Sequence, residues 1–441
     1  MVESRFHTTE VHRFAERLSA AKRPIDLLRA EAVLGRDSYG IDAMVSLPSY
    51  EEGSHFPLFE APSTLPKEYV VPYLYHPYVY FVSHEPLVRP WLKIGYIIIF
   101  DTNFASYVDK VVRGEPLNVQ QDKVMQVIDD ILYNDLNFDP MFYLVENIKQ
   151  AYPIALRMKE DEISSPYKFW DLLDEGFRQN IVSLQLFRDA DCKYYRKTRK
   201  LKFKISHEEA VSRSINLTYK FYASSEGQEL VSYFLFLQKA ILQQLLAILK
   251  IQFSSKQGAR NKTSAFLEFV QKEGVYFDRE TIVAHKYFKD RKTIPLLERV
   301  NIGAQTDLAK KIDNLAWDMT APRFMERMIA IEEQADFIIP FFLTFDRDLL
   351  QLIRCFPVKA VLLDRRSRGV QPIPLFSTHE YFEKEECWDI ISNFFSEEKR
   401  MERKAKEVPT MEILSERINS LYAELNTILS PVSNYSTKDT V

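Results

Sequence analysis

The sequence predicts an α/β fold with extensive helical additions, and three observations support this prediction. The chain has 441 residues but only 11 glycines, which disfavours a turn-rich all-β fold. Two short, continuous apolar runs, KIGYIIIF at 93–100 and FFLTF at 341–345, are typical of strands buried on both faces. Most of the remaining chain carries apolar residues at helical spacing. We therefore expect a parallel central sheet flanked by helices.

The other elements follow from periodicity and from breakers. Residues 45–90 contain eight prolines, which interrupt regular structure, so the aromatic run at 69–82 should give only short strands. VKAVLL at 358–363 is a third candidate for a buried strand, and the polar stretch 254–263 resembles a loop. Helices are expected at 1–33, 104–113, 118–133, 139–150, most of 161–253, 264–333 and 379–430, with the last ten residues frayed.

Composition excludes several classes of function. No two glycines lie closer than Gly35 and Gly40, so neither a G-x-G-x-x-G turn nor a Walker A loop is present. The 58 basic and 62 acidic residues give a net charge of −4, so no global positive field attracts nucleic acid. The three cysteines form no C-x-x-C pair or disulfide framework, which favours a reducing, cytoplasmic compartment.

Targeting and membrane signals are weak. The N-terminal segment mixes charges where a signal peptide would need an apolar run. The most apolar stretch, residues 229–253, contains four glutamines and two lysines, whereas a membrane span needs about 20 mostly apolar residues. We expect a helix buried on most sides and no membrane partner.

Acidic residues follow two of the predicted strands. The first strand runs into Asp101-Thr102-Asn103, and the second into Asp346-Arg347-Asp348. Because loops at the carboxyl ends of parallel strands converge on one edge of the sheet, Asp101, Asp346 and Asp348 are expected to lie close together. A simpler interpretation is that each aspartate caps the helix that follows it.

These motifs resemble those of the PIN-domain nuclease family, in which a first strand runs into D-T-N, a helix carries Glu, an Asp precedes a later helix, and a strand ends in T-x-D-x-D. Glu146 lies 45 residues after Asp101 on a predicted helix, and Asp318 precedes the helix that Pro322 is expected to open. The resemblance covers roughly 93–150 and 305–365. The 172 residues between Glu146 and Asp318 exceed what a compact PIN domain needs, which implies a helical insertion.

The resemblance implies a division into five parts and a PIN-like core in two pieces. The expected parts are an N-terminal accessory region at 1–92, a first core segment at 93–160, a mainly helical insertion at 161–299, a second core segment at 300–370, and a C-terminal helical tail at 371–441.

A cluster of carboxylates needs a compensating cation. Closely spaced carboxylates repel each other and take up protons unless a divalent cation neutralises them. Mg²⁺ and Mn²⁺ prefer such oxygen ligands, and they activate water and stabilise charge on phosphate. The predicted ligands are Asp101, Glu146, Asp318 and Asp346, with Asp348 as a further catalytic candidate. Asn103 and Thr344 are expected either to orient these carboxylates or simply to cap and turn the chain.

A basic segment supplies candidates for nucleic-acid binding. Residues 193–204, KYYRKTRKLKFK, contain seven basic and three aromatic residues. Cations neutralise phosphates, and Tyr194, Tyr195 or Phe203 are candidates for stacking on bases. The proposed phosphate-binding residues are Lys193, Arg196, Lys197, Arg199 and Lys200. A solvated amphipathic element is an equally good interpretation of this segment.

Three functions therefore stay open. The first is a metal-dependent nuclease, preferentially an endoribonuclease because the family resemblance favours RNA, with a toxin or host-defence role and a homo-oligomeric or regulatory partner as candidates. The second is a metal-independent ribonuclease, because Arg279 and His285 match the R-x(4–6)-H pattern of HEPN ribonucleases. The third is a non-catalytic helical interaction protein.

Overall fold

The computed structural model describes eleven ranges of the chain, which fall into two compact units. The ranges are 9–34, 40–48, 59–83, 93–117, 120–160, 165–273, 275–300, 307–329, 337–365, 371–376 and 378–429. The core unit comprises Val2–Leu235 and Thr320–Ser377, and the helical unit comprises Phe236–Met319 and Thr378–Val441. The predicted insertion at 161–299 is thus divided between the two units. The predicted frayed C-terminus lies outside the described residues.

The strands belong to the core unit. In chain order they are β1 (Ile41–Leu47), β2 (Phe59–Glu60), β3 (Val70–Pro72), β4 (Tyr78–Ser83), β5 (Ile94–Phe100), β6 (Phe138–Asp139), β7 (Phe337–Leu343), β8 (Val358–Asp364) and β9 (Gln371–Phe376).

Helices make up most of both units. The first ten, all in the core unit, are α1 (Thr9–Ala20), α2 (Pro24–Glu31), α3 (Thr102–Val112), α4 (Gln121–Asn134), α5 (Met141–Glu146), α6 (Ile148–Glu160), α7 (Pro166–Leu172), α8 (Glu175–Arg188), α9 (Cys192–Thr198) and α10 (His207–Tyr222). The remainder are α11 (Ser225–Ser254), α12 (Ala259–Glu273), α13 (Asp278–Lys289), a 3₁₀ turn (Arg291–Thr293), α14 (Pro295–Glu298), α15 (Leu308–Asp318), α16 (Ala321–Met328), α17 (Arg347–Arg354), α18 (Thr378–Lys384), α19 (Trp388–Phe394), α20 (Glu397–Lys404) and α21 (Met411–Leu429). Of these, α16 and α17 lie in the core unit, and α11 contributes residues to both units.

The sheet that positions the candidate site has the strand order β3-β7-β5-β6. β5 lies parallel to β7 along its full length, with Ile94 opposite Phe337 and Phe100 opposite Leu343. β6 is also parallel to β5, whereas β3 is antiparallel to β7 and forms an edge. Both central strands were predicted, and β7 begins four residues earlier than its sequence pattern indicated. We call this the mixed sheet.

A second sheet was not predicted. It is antiparallel throughout, with the order β2-β4-β1-β8-β9. The predicted third strand is confirmed as β8, but it belongs to this sheet and not beside β5 and β7. Its side chains are nonetheless buried, because Val11, Phe14 and Leu18 of α1 pack with Leu362 in one apolar core. Burial on both faces is therefore not unique to parallel strands.

The helical unit contains most of the longest apolar stretch. α11 is long and apolar enough to cross a membrane by length and composition alone, and 72% of its most apolar 18-residue stretch is buried inside the protein. Gln243 and Gln244 are also buried, and their amides donate to Glu273 and to the Val275 carbonyl. The amide nitrogens of these two glutamines are therefore hydrogen-bonded within the unit, as expected for donors on a buried helix.

Gly227 permits close packing between the start of α11 and the end of α10. A Cβ atom at this position would overlap the backbone carbonyls of Lys220 and Phe221, which cannot move as a flexible side chain can. We expect Gly227→Ala to destabilise the core unit by about 1–3 kcal/mol or more, in the range of other overpacked sites. Chemical denaturation would measure the free energy of unfolding.

Gly258→Ala is the matched control, because nothing lies within 4 Å of a Cβ built there. We expect its free energy of unfolding to match the wild type or exceed it. Equal stability of the two variants would contradict the proposed backbone overlap.

Candidate active site

The carboxyl ends of β5 and β7 bring the two predicted acidic motifs together. The strands end at Phe100 and Leu343, which are opposite each other in register. The N–H of Asp101 then donates to the Leu343 carbonyl at 3.1 Å, so the ladder continues for one further bond. Asp101 and Thr344 consequently lie side by side at one edge of the mixed sheet.

Asp101 is buried at this edge and caps α3. Asp101 is 3% exposed, and its carboxylate accepts hydrogen bonds from the Asn103 N–H and the Thr344 hydroxyl. The capping geometry explains why α3 begins immediately after the strand. The additional bond from Thr344, 243 residues away, is a tertiary contact that a simple cap does not need.

Thr344 connects Asp101 to Asp346. Its side chain is fully buried, and its oxygen donates to Asp101 while accepting the Asp346 N–H at 3.0 Å. The Asp346 carboxylate in turn caps α17, accepting the N–H groups of Asp348 and Leu349 at 2.9 and 3.1 Å. One hydroxyl thus fixes the relative positions of both strand-end motifs.

Glu146 joins the same site through Thr102. It is the last residue of α5, and its Oε2 accepts the Thr102 N–H at 3.1 Å and also the Thr102 hydroxyl. Two consecutive backbone N–H groups at the start of α3, those of Thr102 and Asn103, are therefore bound to carboxylates. Such an arrangement suits a helix N-terminus, where orphan donors and the helix dipole favour negative charge.

The burial of Asp101 changes its acidity. Desolvation raises the pKa of its carboxyl to about 6, and the negative charge of Asp346 adds to the effect. Hydrogen bonds from Thr344, Asn103 and Phe104 act in the opposite direction because they stabilise the carboxylate. A carboxylate held in this way gains from any nearby positive charge.

The carboxylates are turned toward donors of the protein itself. Among the residues that the structure describes, no three side chains of the types His, Cys, Asp and Glu come close enough together to hold a metal ion. Asp101, Glu146 and Asp346 belong to one site through Thr102 and Thr344, but they do not form a ready-made cage of ligands.

The other predicted site residues occupy different positions. Asp318 is the last residue of α15 in the helical unit, and Pro322 opens α16 as predicted. Asp348 is in the first turn of α17, where its N–H donates to the Asp346 carboxylate. Asn103 is exposed, and its backbone N–H makes the bond to Asp101.

The basic segment at 193–204 contains α9 and the residues after it. Two of its arginines form ion pairs with the end of α4: Arg196 with Asp135 at 3.4 Å, and Arg199 with Asp129. The Arg199 guanidinium also lies over the Tyr133 ring, 4.4 Å from its centroid. The predicted Lys193, Lys197 and Lys200 are exposed.

The aromatic residues of the basic segment differ in exposure. Tyr195 is 5% exposed, and burial raises the pKa of its phenol to about 12, so it is not available for stacking on bases. Tyr194 and Phe203 are half-buried. Tyr194 lies beneath the Lys202 ammonium, 5.3 Å from the ring centroid.

The R-x(4–6)-H pair lies in the interior of the helical unit. Arg279 and His285 on α13 are 3% and 2% exposed. His285 Nδ1 is 2.8 Å from the Tyr381 hydroxyl, and Nε2 is 3.7 Å from Cys387 Sγ. Desolvation lowers the pKa of the imidazole, which favours the neutral ring. These positions suit a structural role and offer no described surface at which His285 would reach a phosphodiester.

Sequence reasoning missed two features of the core unit. Thr102 stood within the D-T-N motif, but only the fold reveals that it holds Glu146. The pairing of Arg196 and Arg199 with α4 was also not apparent, because Asp129 and Asp135 lie about 60–70 residues earlier in the chain. The acidic residues on the last turns of α4 were the only sequence signal for it.

The comparisons with known proteins indicate no family and no function for this chain. The chain matches no family model, no curated protein and no solved structure.

The raised pKa of Asp101 predicts a pH-dependent stability. The protonated carboxyl contributes its full stability below about pH 4, and this contribution is lost as the pH rises through about 6, because ionisation is harder in the folded state. The rise of the Asp101 pKa from its ordinary value to about 6 corresponds to about 3 kcal/mol. In EDTA, we expect the free energy of unfolding of Asp101→Asn, relative to that of wild type, to increase by about this amount between pH 4 and pH 7.

Urea denaturation at several pH values would measure this difference. Asp290→Asn is a matched control, because Asp290 also caps a turn, accepting the Lys292 N–H, but is exposed. A difference between Asp101→Asn and wild type that stays constant from pH 4 to 7 would contradict the altered acidity.

Proposed function

We propose that this protein is a Mg²⁺- or Mn²⁺-dependent nuclease that hydrolyses phosphodiester bonds in RNA. The observation that supports it best is the joining of two aspartates at adjacent parallel strand ends through the Thr344 hydroxyl. A purely structural cap needs only local backbone donors, whereas Asp101 is held by a residue from the neighbouring strand. Together with Glu146, the edge offers three carboxylates near one helix N-terminus.

The donor set fits a hard divalent cation. Asp101, Glu146 and Asp346 offer only oxygen atoms, which Mg²⁺ and Mn²⁺ prefer. Burial makes an uncompensated charge on Asp101 costly, so a cation would relieve that cost. When bound, the cation would acidify a water and neutralise charge on the phosphate. Asp318, the last residue of α15, is kept apart from this set, and its substitution tests whether it belongs there.

The chain's own residues would organise the reaction in three ways. Thr344 would hold Asp101 against Asp346, and Thr102 would hold Glu146. The start of α3 would direct its dipole toward the anionic edge. The choice of RNA and of a PIN-like core rests on the resemblance of the D-T-N, Glu146 and T-x-D-x-D motifs, and these finer assignments are part of the proposal.

A second candidate, a non-catalytic interaction protein, is favoured by one specific observation. Asp101 and Asp346 each accept backbone N–H groups of the helix that follows. Capping alone would explain both aspartates at these positions. Capping does not explain the link through Thr344. The two functions can be distinguished because only a nuclease has an activity that substitution of these aspartates would abolish.

A nuclease assay on labelled RNA tests the proposed function. We expect cleavage with Mn²⁺ or Mg²⁺ and none with EDTA, and a loss of at least about 100-fold in Asp101→Asn and Asp346→Asn. Even residues that only orient metal ligands typically contribute 10–100-fold, so the ligands themselves should matter more. Asp290→Asn, the exposed cap in the helical unit, should retain wild-type activity.

The other outcomes separate the alternatives. Cleavage that persists in EDTA and is lost in His285→Ala would support the metal-independent mechanism. A wild type that binds no Mn²⁺ and cuts no RNA would favour the interaction protein. Full activity of Asp318→Asn would remove Asp318 from the predicted ligands, whereas a loss like that of Asp101→Asn would restore it.

Thr102 provides a test of metal binding that does not depend on turnover. We expect Thr102→Val to weaken Mn²⁺ binding about tenfold, because Glu146 loses the hydroxyl that orients it. Thr102→Ser keeps the hydroxyl and should bind Mn²⁺ like wild type. Electron paramagnetic resonance of free Mn²⁺ would measure both affinities, and tighter binding by the valine variant would show that Thr102 competes with the metal.

A further inference from the structure

The charge of the basic segment is concentrated on lysines. Arg196 and Arg199 are paired with Asp135 and Asp129 and so contribute little net charge. The remaining five basic residues are exposed, and no ion pair with an acidic side chain forms at any of them within the described part of the chain. They are Lys193, Lys197, Lys200, Lys202 and Lys204. Five unneutralised cations within 12 residues are notable in a chain whose net charge is −4.

The basic segment is anchored to the core unit at both of its ends. Arg196 contacts Asp135, which is two residues before Asn137. The Asn137 amide donates to the Tyr96 carbonyl of β5 at 3.0 Å. At the other end of the segment, the Lys204 N–H donates to the Asp189 carbonyl at 2.8 Å, immediately after α8. The segment is thus held on the same unit that carries the carboxylates of β5 and β7.

We propose that the basic segment is a surface that binds the phosphates of single-stranded RNA. The inference rests on the proposed function for its choice of ligand. The segment supplies positive charge that the acidic edge lacks, so RNA is held by contacts that take no part in the cleavage step itself.

Stacked pairs of cations and aromatic rings support a nucleic-acid ligand. The Arg199 guanidinium lies over Tyr133, which is 45% exposed, and Lys202 lies over Tyr194. Guanidinium planes and tyrosine rings are surfaces on which unpaired bases stack. The ion pair with Asp129 holds the Arg199 side chain in place, so this surface is ordered before RNA binds.

A membrane surface is a poorer ligand for the same charge. Helices that bind the membrane interface expose large apolar residues opposite their basic face. In α9 the large ring on the inner face, Tyr195, is buried against the protein and cannot insert into lipid. The segment thus offers charge without an apolar face to accompany it.

Fluorescence anisotropy in EDTA tests the surface without cleavage. The probe is a long, unstructured RNA of 20 nucleotides. We expect Lys193→Gln/Lys197→Gln/Lys200→Gln to weaken binding of this RNA at least tenfold. The slope of log affinity against log salt should fall by about two, since each phosphate contact on a single strand contributes about 0.7.

The matched control removes three exposed lysines elsewhere. Lys168→Gln/Lys310→Gln/Lys311→Gln takes away the same charge, so equal weakening by both triple variants would overturn the proposal. Unchanged RNA binding by the first triple variant would also overturn it. So would a wild type that binds anionic phospholipid vesicles through these lysines more tightly than RNA.

The outcome is distinguishable from a failure of the proposed function. If the wild type binds the long RNA through these lysines but does not cut it, the surface stands and the nuclease proposal fails. If it cuts RNA while the first triple variant shows unchanged KM and kcat on the long substrate, the nuclease stands and the surface fails. Both are supported if the triple variant raises KM for the long RNA and leaves kcat unaltered.

Discussion

The parallel pairing of β5 with β7 determines the arrangement of the candidate site. The two strands lie more than 230 residues apart in the chain, yet every residue from Ile94 to Phe100 has a partner in β7. Parallel strands cannot be joined by a tight turn, so a crossover connection of about a dozen residues or more must lie between them. Once the register is set, Asp101 and Thr344 become neighbours, and their hydrogen bond follows. A shift of one residue would turn these side chains toward opposite faces.

Burial of Asp101 is costly, and this cost gives the site its chemical character. A carboxyl in a desolvated position is destabilised in its charged form, which is why its pKa rises to about 6. Three hydrogen bonds from the protein reduce the cost without removing it. Local destabilisation of this kind is common where a protein retains a group for binding or catalysis and not for stability. The interaction protein of the second proposal would have no use for such a residue, since an exposed aspartate caps a helix equally well.

Sequence patterns predicted the strands of the site better than the rest of the fold. β5 and β7 were recognisable because each is a short apolar run that ends abruptly at an acidic residue. β1 was missed because its sequence, IDAMVSL, contains two polar residues, although every position is buried. In that strand Asp42 pairs with Arg365 at 2.8 Å, and Ser46 donates to the Lys359 carbonyl at 3.0 Å. Partners that are distant in sequence make these polar residues compatible with a core strand. The local sequence pattern does not reveal such partners.

The prolines had a similar effect on the prediction of β9. Its sequence QPIPLF resembles a loop, but it lies at the edge of the antiparallel sheet, where a missing N–H on the outer side is tolerated. The acidic side chains at the strand ends were predicted correctly as neighbours, because parallel pairing places the carboxyl ends of strands that are distant in sequence at one edge of the sheet. No such constraint applies to Asp318, since it is the last residue of a helix and does not follow a strand.

The positions of opposite charge in the core unit connect the two proposals physically. Carboxylates gathered at the carboxyl ends of β5 and β7 would repel a polyanion, and the chain as a whole is slightly acidic. Lysines placed directly among those carboxylates would neutralise them and compete with a cation for the same oxygens. The lysines of the basic segment lie instead on α9 and the residues after it, so they attract phosphates and leave the carboxylate oxygens to a cation. A strand held by these lysines also gains a high effective concentration at the carboxylates, which allows one chain to bind RNA by positive charge and act on it through negative charge.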